Sequence, residues 1–167
     1  LIIETSGKYH FRINVIKSTI EAEAKHLKSP DSVEERWELL SEARNSLETR
    51  LRDLVKSLLK IAMGASEGKV AIIDAMVKSQ QKEKAAQLSY AQIYDAELYF
   101  SDLRRAIENN WSIFRNVFSD DYDRFSSYMK IANAARADAH AKTIERGEFE
   151  AAMNSINWLS QSIQENA

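Results

Sequence analysis

The residues whose types and spacing suit chemistry are Asn133, Arg136 and His140, in the stretch YDRFSSYMKIANAARADAHAKT from Tyr122 to Thr143. The stretch reads as one helix, with Phe125, Met129, Ala132, Ala135 and Ala139 at the spacing of a core-facing stripe. At about 100° per residue, Asn133 and His140 nearly eclipse, and Arg136 lies a fraction of a turn beside them. An amide, a guanidinium and an imidazole on one surface line make a phosphate site. The plainer alternative is an ordinary surface pair near a helix end, where the dipole favours a histidine.

An all-α scaffold is expected to hold this line. The chain has 167 residues, enough for one domain with a real core. With one Pro and four Gly there is little punctuation, while good helix formers abound. Tyr9 to Lys28 carries an apolar stripe of Phe11, Val15, Ile16, Ile20, Ala24 and Leu27. Ser32 followed by Glu35 has capping-box spacing, so a long helix should begin there. Its inward positions run Trp37, Leu40, Ala43, Leu47, Leu51, Leu54, Leu58 and Ile61, up to a break at Gly64. Glu42, Arg44, Glu48, Arg50, Arg52 and Lys56 should form a solvated face laced with ion pairs.

Val70 to Gln87 should be helical again. Ser89 to Tyr99 reads as irregular, with its tyrosines pinning a turn against the bundle in preference to an RNA-stacking platform. Leu103, Ile107, Trp111, Phe114 and Phe118 form the next stripe, and Ser119, Asp120 and Asp121 offer a cap to the following helix. Arg146 to Glu148 reads as a turn before a closing helix, Phe149 to Gln164, with Ala152, Ile156, Leu159 and Ile163 inward. The expected architecture is a single up-and-down bundle of five to six helices. Residues 1–30 form an N-terminal segment and helix leading from an upstream domain, and residues 31–167 form the bundle. Because the chain starts at Leu1, it is expected to be part of a longer protein.

Composition narrows the function classes. A net charge of −2 provides no general basic field, so any nucleic-acid contact has to be local. Without cysteine there is no disulfide framework and no thiolate zinc site. No apolar run approaches the ~18 residues of a membrane span, and no leader peptide is visible. A cytoplasmic protein without membrane contact is the expectation. A di-metal carboxylate bundle needs paired Glu-x-x-His motifs. Only His26 has a carboxylate three residues before it, Glu23, so no metal and no cofactor are expected. No P-loop, dinucleotide turn or Ser–His–Asp arrangement can be assembled.

Two segments resemble the HEPN domain superfamily, of the Swt1-like HEPN kind. They are D-L-x-x-x-I-x-x-N-W-x-x-F (Asp102 to Phe114) and N-A-A-R-A-D-A-H-A (Asn133 to Ala141), within a resemblance spanning Val33 to Ile144. The resemblance implies a helical bundle that homodimerises and brings two Arg–His motifs into one cleft. It also implies a metal-independent endoribonuclease in a larger, toxin-like defence or RNA-processing protein. By that likeness Arg136 holds the scissile phosphate, and His140 moves the proton of the ribose 2′-hydroxyl or of the leaving oxygen. Asn133 would orient either group, and a 2′,3′-cyclic phosphate would result. Only Ala137, Asp138 and Ala139 separate Arg136 from His140, a shorter spacing than is usual in the family. The alternative is a non-catalytic HEPN module for dimerisation or for binding RNA, a nucleotide or a protein partner.

Overall fold

The computed structural model describes residues 32–96, 98–135 and 143–166. The expected helix over residues 9–28, and with it the first of the two segments drawn from the sequence, lies outside them. The described chain is an all-α helical bundle. Its helices are α1 (Val33–Ala75), α2 (Ser79–Gln87), α3 (Tyr90–Ala96), α4 (Phe100–Asn109), α5 (Trp111–Phe114), α6 (Tyr122–Ala134) and α7 (Arg146–Asn166). There are thus seven helices among the described residues, rather than five or six.

The start of α1 follows from its cap. Ser32 Oγ accepts from the Glu35 amide at 3.0 Å, and Glu35 Oε2 accepts from the Ser32 amide at 3.3 Å. Two amides with no intrahelical partner are thereby satisfied reciprocally. α1 packs along α4 and α7, and α6 packs on α7. Leu40, Leu47, Leu51, Val55 and Leu59 are completely buried along α1. Each such side chain stabilises the fold by about 1.5–3 kcal/mol. The stripe drifts at 3.6 residues per turn, so Val55 and Leu59 take the inward places beyond Leu54. Ile61, expected inside, is instead 79% exposed.

Gly64 has φ 80° and ψ 168°, so the helical backbone is broken there as expected, and the two parts of α1 meet at a kink. That region of backbone space is essentially confined to glycine. A Cβ there would touch nothing within 4 Å, so the constraint is purely conformational. Gly64→Ala should therefore cost about 1–3 kcal/mol, read as a lower midpoint in thermal circular dichroism. An unchanged midpoint would mean that the kink relaxes freely.

Helix Val70–Gln87 does not form as one piece: residues 76–78 are non-helical. No proline or glycine marks this break, and tertiary contacts account for it. Met76 is buried in an extended conformation, and Arg105 Nε donates to the Ala75 carbonyl at 2.6 Å. Other cations close helix ends in the same manner. Lys69 Nζ donates to the carbonyls of Ala86 at 2.8 Å and Leu88 at 2.6 Å, in the last turn and at the C-cap of α2. Arg52 donates to the carbonyls of Tyr94 and Leu98, each at 2.5 Å. The expected i,i+4 ion pairs form, Glu48 with Arg44 at 3.5 Å and with Arg52 at 2.6 Å, but both arginines are half-buried and also pack against neighbouring elements, the Arg44 guanidinium 4.8 Å over the Phe100 ring. Orphan carbonyls at helix C-termini favour such positive groups.

The tyrosine-rich stretch is helical as α3, not irregular, but its phenols do anchor it. The Tyr94 hydroxyl donates to that of Tyr90 at 3.0 Å, which donates to the Lys56 carbonyl at 2.7 Å. Burial pushes both phenols above the ordinary tyrosine range. Gly68 makes room for the Tyr90 ring, which a Cβ would meet at 3.0 Å.

Asp102 joins three elements. Although charged, it is only 1% exposed. Its Oδ2 accepts from Gln81 Nε2 at 2.6 Å and from the Tyr99 amide at 3.1 Å, while Oδ1 pairs with Arg105. α2 and the start of α4 thus meet on one carboxylate, and Arg105, held by it, reaches α1 through the Ala75 carbonyl.

The helix after α4 breaks at Asn110, whose side-chain Nδ2 donates to the Ala106 carbonyl at 2.9 Å and competes with the helical ladder. Phe114 and Phe118 are buried as expected, while Trp111 is only partly so. Asp121 supplies the cap for α6, accepting from the Arg124 amide at 3.0 Å. Before it, Ser119 and Asp120 both have φ 55°. Ser119→Gly should relieve part of this left-handed strain and raise stability by about 0.5 kcal/mol, or ~1–2 °C in midpoint. A lowered midpoint would show that chain entropy outweighs the strain.

Candidate functional site

α6 and α7 position the candidate site. Phe125, Met129 and Ala132 bury the inner face of α6, and Ala152, Ile156, Leu159 and Ile163 that of α7, as their spacing requires. Trp158 and Tyr128 meet edge to face at 5.4 Å, with the Arg124 guanidinium 4.6 Å over the Trp158 ring and 5.2 Å over that of Tyr128. These contacts fix the register of the two helices at the end remote from Asn133.

The helix expected over Tyr122–Thr143 is shorter than its sequence pattern: α6 ends at Ala134. Ala135 has φ −77° and ψ 68°, outside the helical region, and its amide closes the last turn on the Ile131 carbonyl at 3.2 Å. Asn133 lies in that last turn and is partly buried. Arg136 and His140 lie outside the described residues.

A cavity of about 380 Å³ opens at this end of α6. Its walls are Trp37 from α1, Ile131 and Ala135 from the end of α6, Ile144, and Ala152 from α7. Thr143 and Glu148 supply polar groups at the lining. Glu148 Oε2 accepts from the Glu145 amide at 3.2 Å, in the first turn of α7. Arg146–Glu148 is thus the opening turn of that helix, not a separate loop. Both Ala135, the residue before Arg136, and Thr143, three residues after His140, line the cavity.

Sequence reading missed the cavity because its members come from four places in the chain. Trp37 looked like core, Glu148 looked like a turn residue, and no local pattern joins them. Tyr90 and Tyr94 make no stacking platform, since Tyr94 is buried and Tyr90 packs against the core; Tyr99 is exposed, at 53%. Among the described residues no cluster of three or more His, Cys, Asp or Glu could hold a metal ion. None of their helices is long and apolar enough to cross a membrane. In comparisons with known proteins, no family model, no curated protein and no solved structure matches the chain.

Proposed function

We propose that the chain is a HEPN-type module that cuts RNA without metal, through Arg136 and His140 of two copies brought together in a homodimer. Asn133 orients the phosphate or one of the two catalytic groups. The observation that carries the reading is the pairing of D-L-x-x-x-I-x-x-N-W-x-x-F with N-x-x-R-x-x-x-H in an all-α chain. The cavity at the end of α6 supports it as a concave surface able to seat part of a substrate. Arg136 is a fixed cation able to grip two phosphate oxygens and to stabilise charge developing on them. His140 has the side chain whose unperturbed titration lies near neutrality, as proton transfer from a 2′-hydroxyl requires. The module would belong to a larger cytoplasmic protein of defence or RNA processing.

A second reading is favoured by the three-residue spacing between Arg136 and His140 and by the net charge of −2. Here the same module dimerises, or binds RNA, a nucleotide or a protein partner, without cutting. The solution mass of the chain and its cleavage of mixed RNA in EDTA, beside His140→Ala, separate the two. A dimer whose cutting disappears in the variant supports the nuclease. A dimer that cuts nothing supports the binding module, and equal cutting by the variant refutes the assignment of His140.

A further inference from the structure

We infer that α2 is a strap that opens and closes as a unit across α1 while the rest of the bundle stays folded, with Lys69 as its latch. The inference is independent of the ribonuclease reading, and its test reads no cleavage. Size is the first argument. α2 has nine residues, Ser79–Gln87, and an isolated helix shorter than about 12 residues does not sustain itself in water. Its N-cap, Lys78, makes no side-chain capping bond, and its first turn carries no acidic residue. Contacts with its neighbours must therefore hold it.

Little apolar surface is buried in those contacts. Of the α2 residues only Gln81 and Ala85 are buried, so closing the strap removes almost no hydrocarbon from water. Its main packing partner is α1. Side-chain hydrogen bonds supply the rest. Gln81 Nε2 donates to Asp102 Oδ2 at 2.6 Å, and Lys69 Nζ donates to the Ala86 carbonyl at 2.8 Å. Because Lys69 also donates to the Leu88 carbonyl, one ammonium ties the last turn of the strap to its far anchor. The Lys78 ammonium, 5.4 Å over the exposed ring of Tyr99, adds a weaker contact in water. Segments with few buried apolar contacts and exposed helical hydrogen bonds open well below the energy of global unfolding.

Both ends of the strap are pinned. Before it, Met76 is buried and Arg105 holds the Ala75 carbonyl. After it, Leu88 packs on the core, the Tyr90 hydroxyl donates to the Lys56 carbonyl, and Ile93 and Tyr94 are buried in α3. Opening is thus confined to residues 77–87, beginning at Val77, which is 69% exposed. When the strap lifts, Asp102 keeps the Tyr99 amide and Arg105, so the start of α4 does not depend on it.

Native-state hydrogen exchange of the full chain, followed by NMR in low urea, tests the inference. The amides of Lys82 to Gln87 should share one opening constant. It should exceed that of the Leu51 to Leu59 amides at least about a hundredfold and hardly vary with urea, since little surface is exposed. Ile156→Val weakens α7, which packs on α1 and α6, and leaves the strap's own contacts intact. It should speed exchange of the α1 amides about fivefold and leave that of α2 unchanged. Lys69→Met keeps most of the stem, removes the ammonium, and should raise the opening constant of α2 about tenfold.

α2 amides that share the opening constant of the α1 amides would overturn the inference. So would α2 amides that speed up in Ile156→Val as much as those of α1, or that ignore Lys69→Met. Amides of α2 without any protection would overturn it too, because the strap would then have no closed state.

Discussion

Asp102→Ala should destabilise the chain by about 3 kcal/mol, among the largest effects of any single change in the bundle. The Asp102 side chain is 2% exposed, and its partner Arg105 is 27% exposed. Removing the carboxylate takes one hydrogen-bond acceptor each from the buried Gln81 amide, the Tyr99 N–H and the partly buried Arg105 guanidinium, which keeps the Ala75 carbonyl. Breaking a buried ion pair from one side costs about 3–5 kcal/mol. Water reaching Arg105 holds the figure to the lower end of that range. Asp102→Asn keeps an oxygen for Gln81 and the Tyr99 amide but loses the charge and turns an amide NH2 toward Arg105, so about 1–2 kcal/mol is expected. Urea denaturation checks both: at a slope of about 2 kcal/mol per molar, the alanine variant's midpoint should fall by ~1.5 M. A shift below about 0.3 M for Asp102→Ala would show that the junction of α1, α2 and α4 is held by apolar packing alone.

For His140→Ala, cleavage of single-stranded RNA in EDTA should fall between about a hundredfold and ten-thousandfold, the usual worth of a positioned acid or base. Thermal denaturation of the variant beside the parent separates lost chemistry from lost folding. Arg136→Lys should also lose activity, because an ammonium keeps the charge but not the planar fork that grips two phosphate oxygens. If Arg136→Lys cuts as well as the parent, the arginine contributes only general charge. If His140→Ala cuts as well as the parent, the proton is moved elsewhere.

Much of the bundle was legible because its signals are local. The Ser32–Glu35 cap, the glycine that bends α1 and the inward stripes of α4, α6 and α7 each follow from residues close together in sequence. The break at Met76–Lys78 was not legible, since it is made by a buried methionine and by Arg105, almost thirty residues away. The end of α6 misled for the opposite reason. Asn133 to Ala141 is rich in alanine, the strongest helix former, and carries no stop signal. Ala135 nevertheless leaves the helical region while buried against the cavity that Ile144 also lines. Tertiary packing there overrides propensity. In the candidate site, therefore, the residue types of Asn133, Arg136 and His140 could be read from sequence. The concave surface at the end of α6 could not, because Trp37, Ile131, Glu148 and Ala152 meet only in the fold.

The most direct test of the central claim is the chemistry of the RNA ends left by the purified chain in EDTA, compared with His140→Ala. The account predicts 2′,3′-cyclic phosphate ends from the parent chain and none above background from the variant. Ends of any other kind, or the same cyclic ends from His140→Ala, would contradict it.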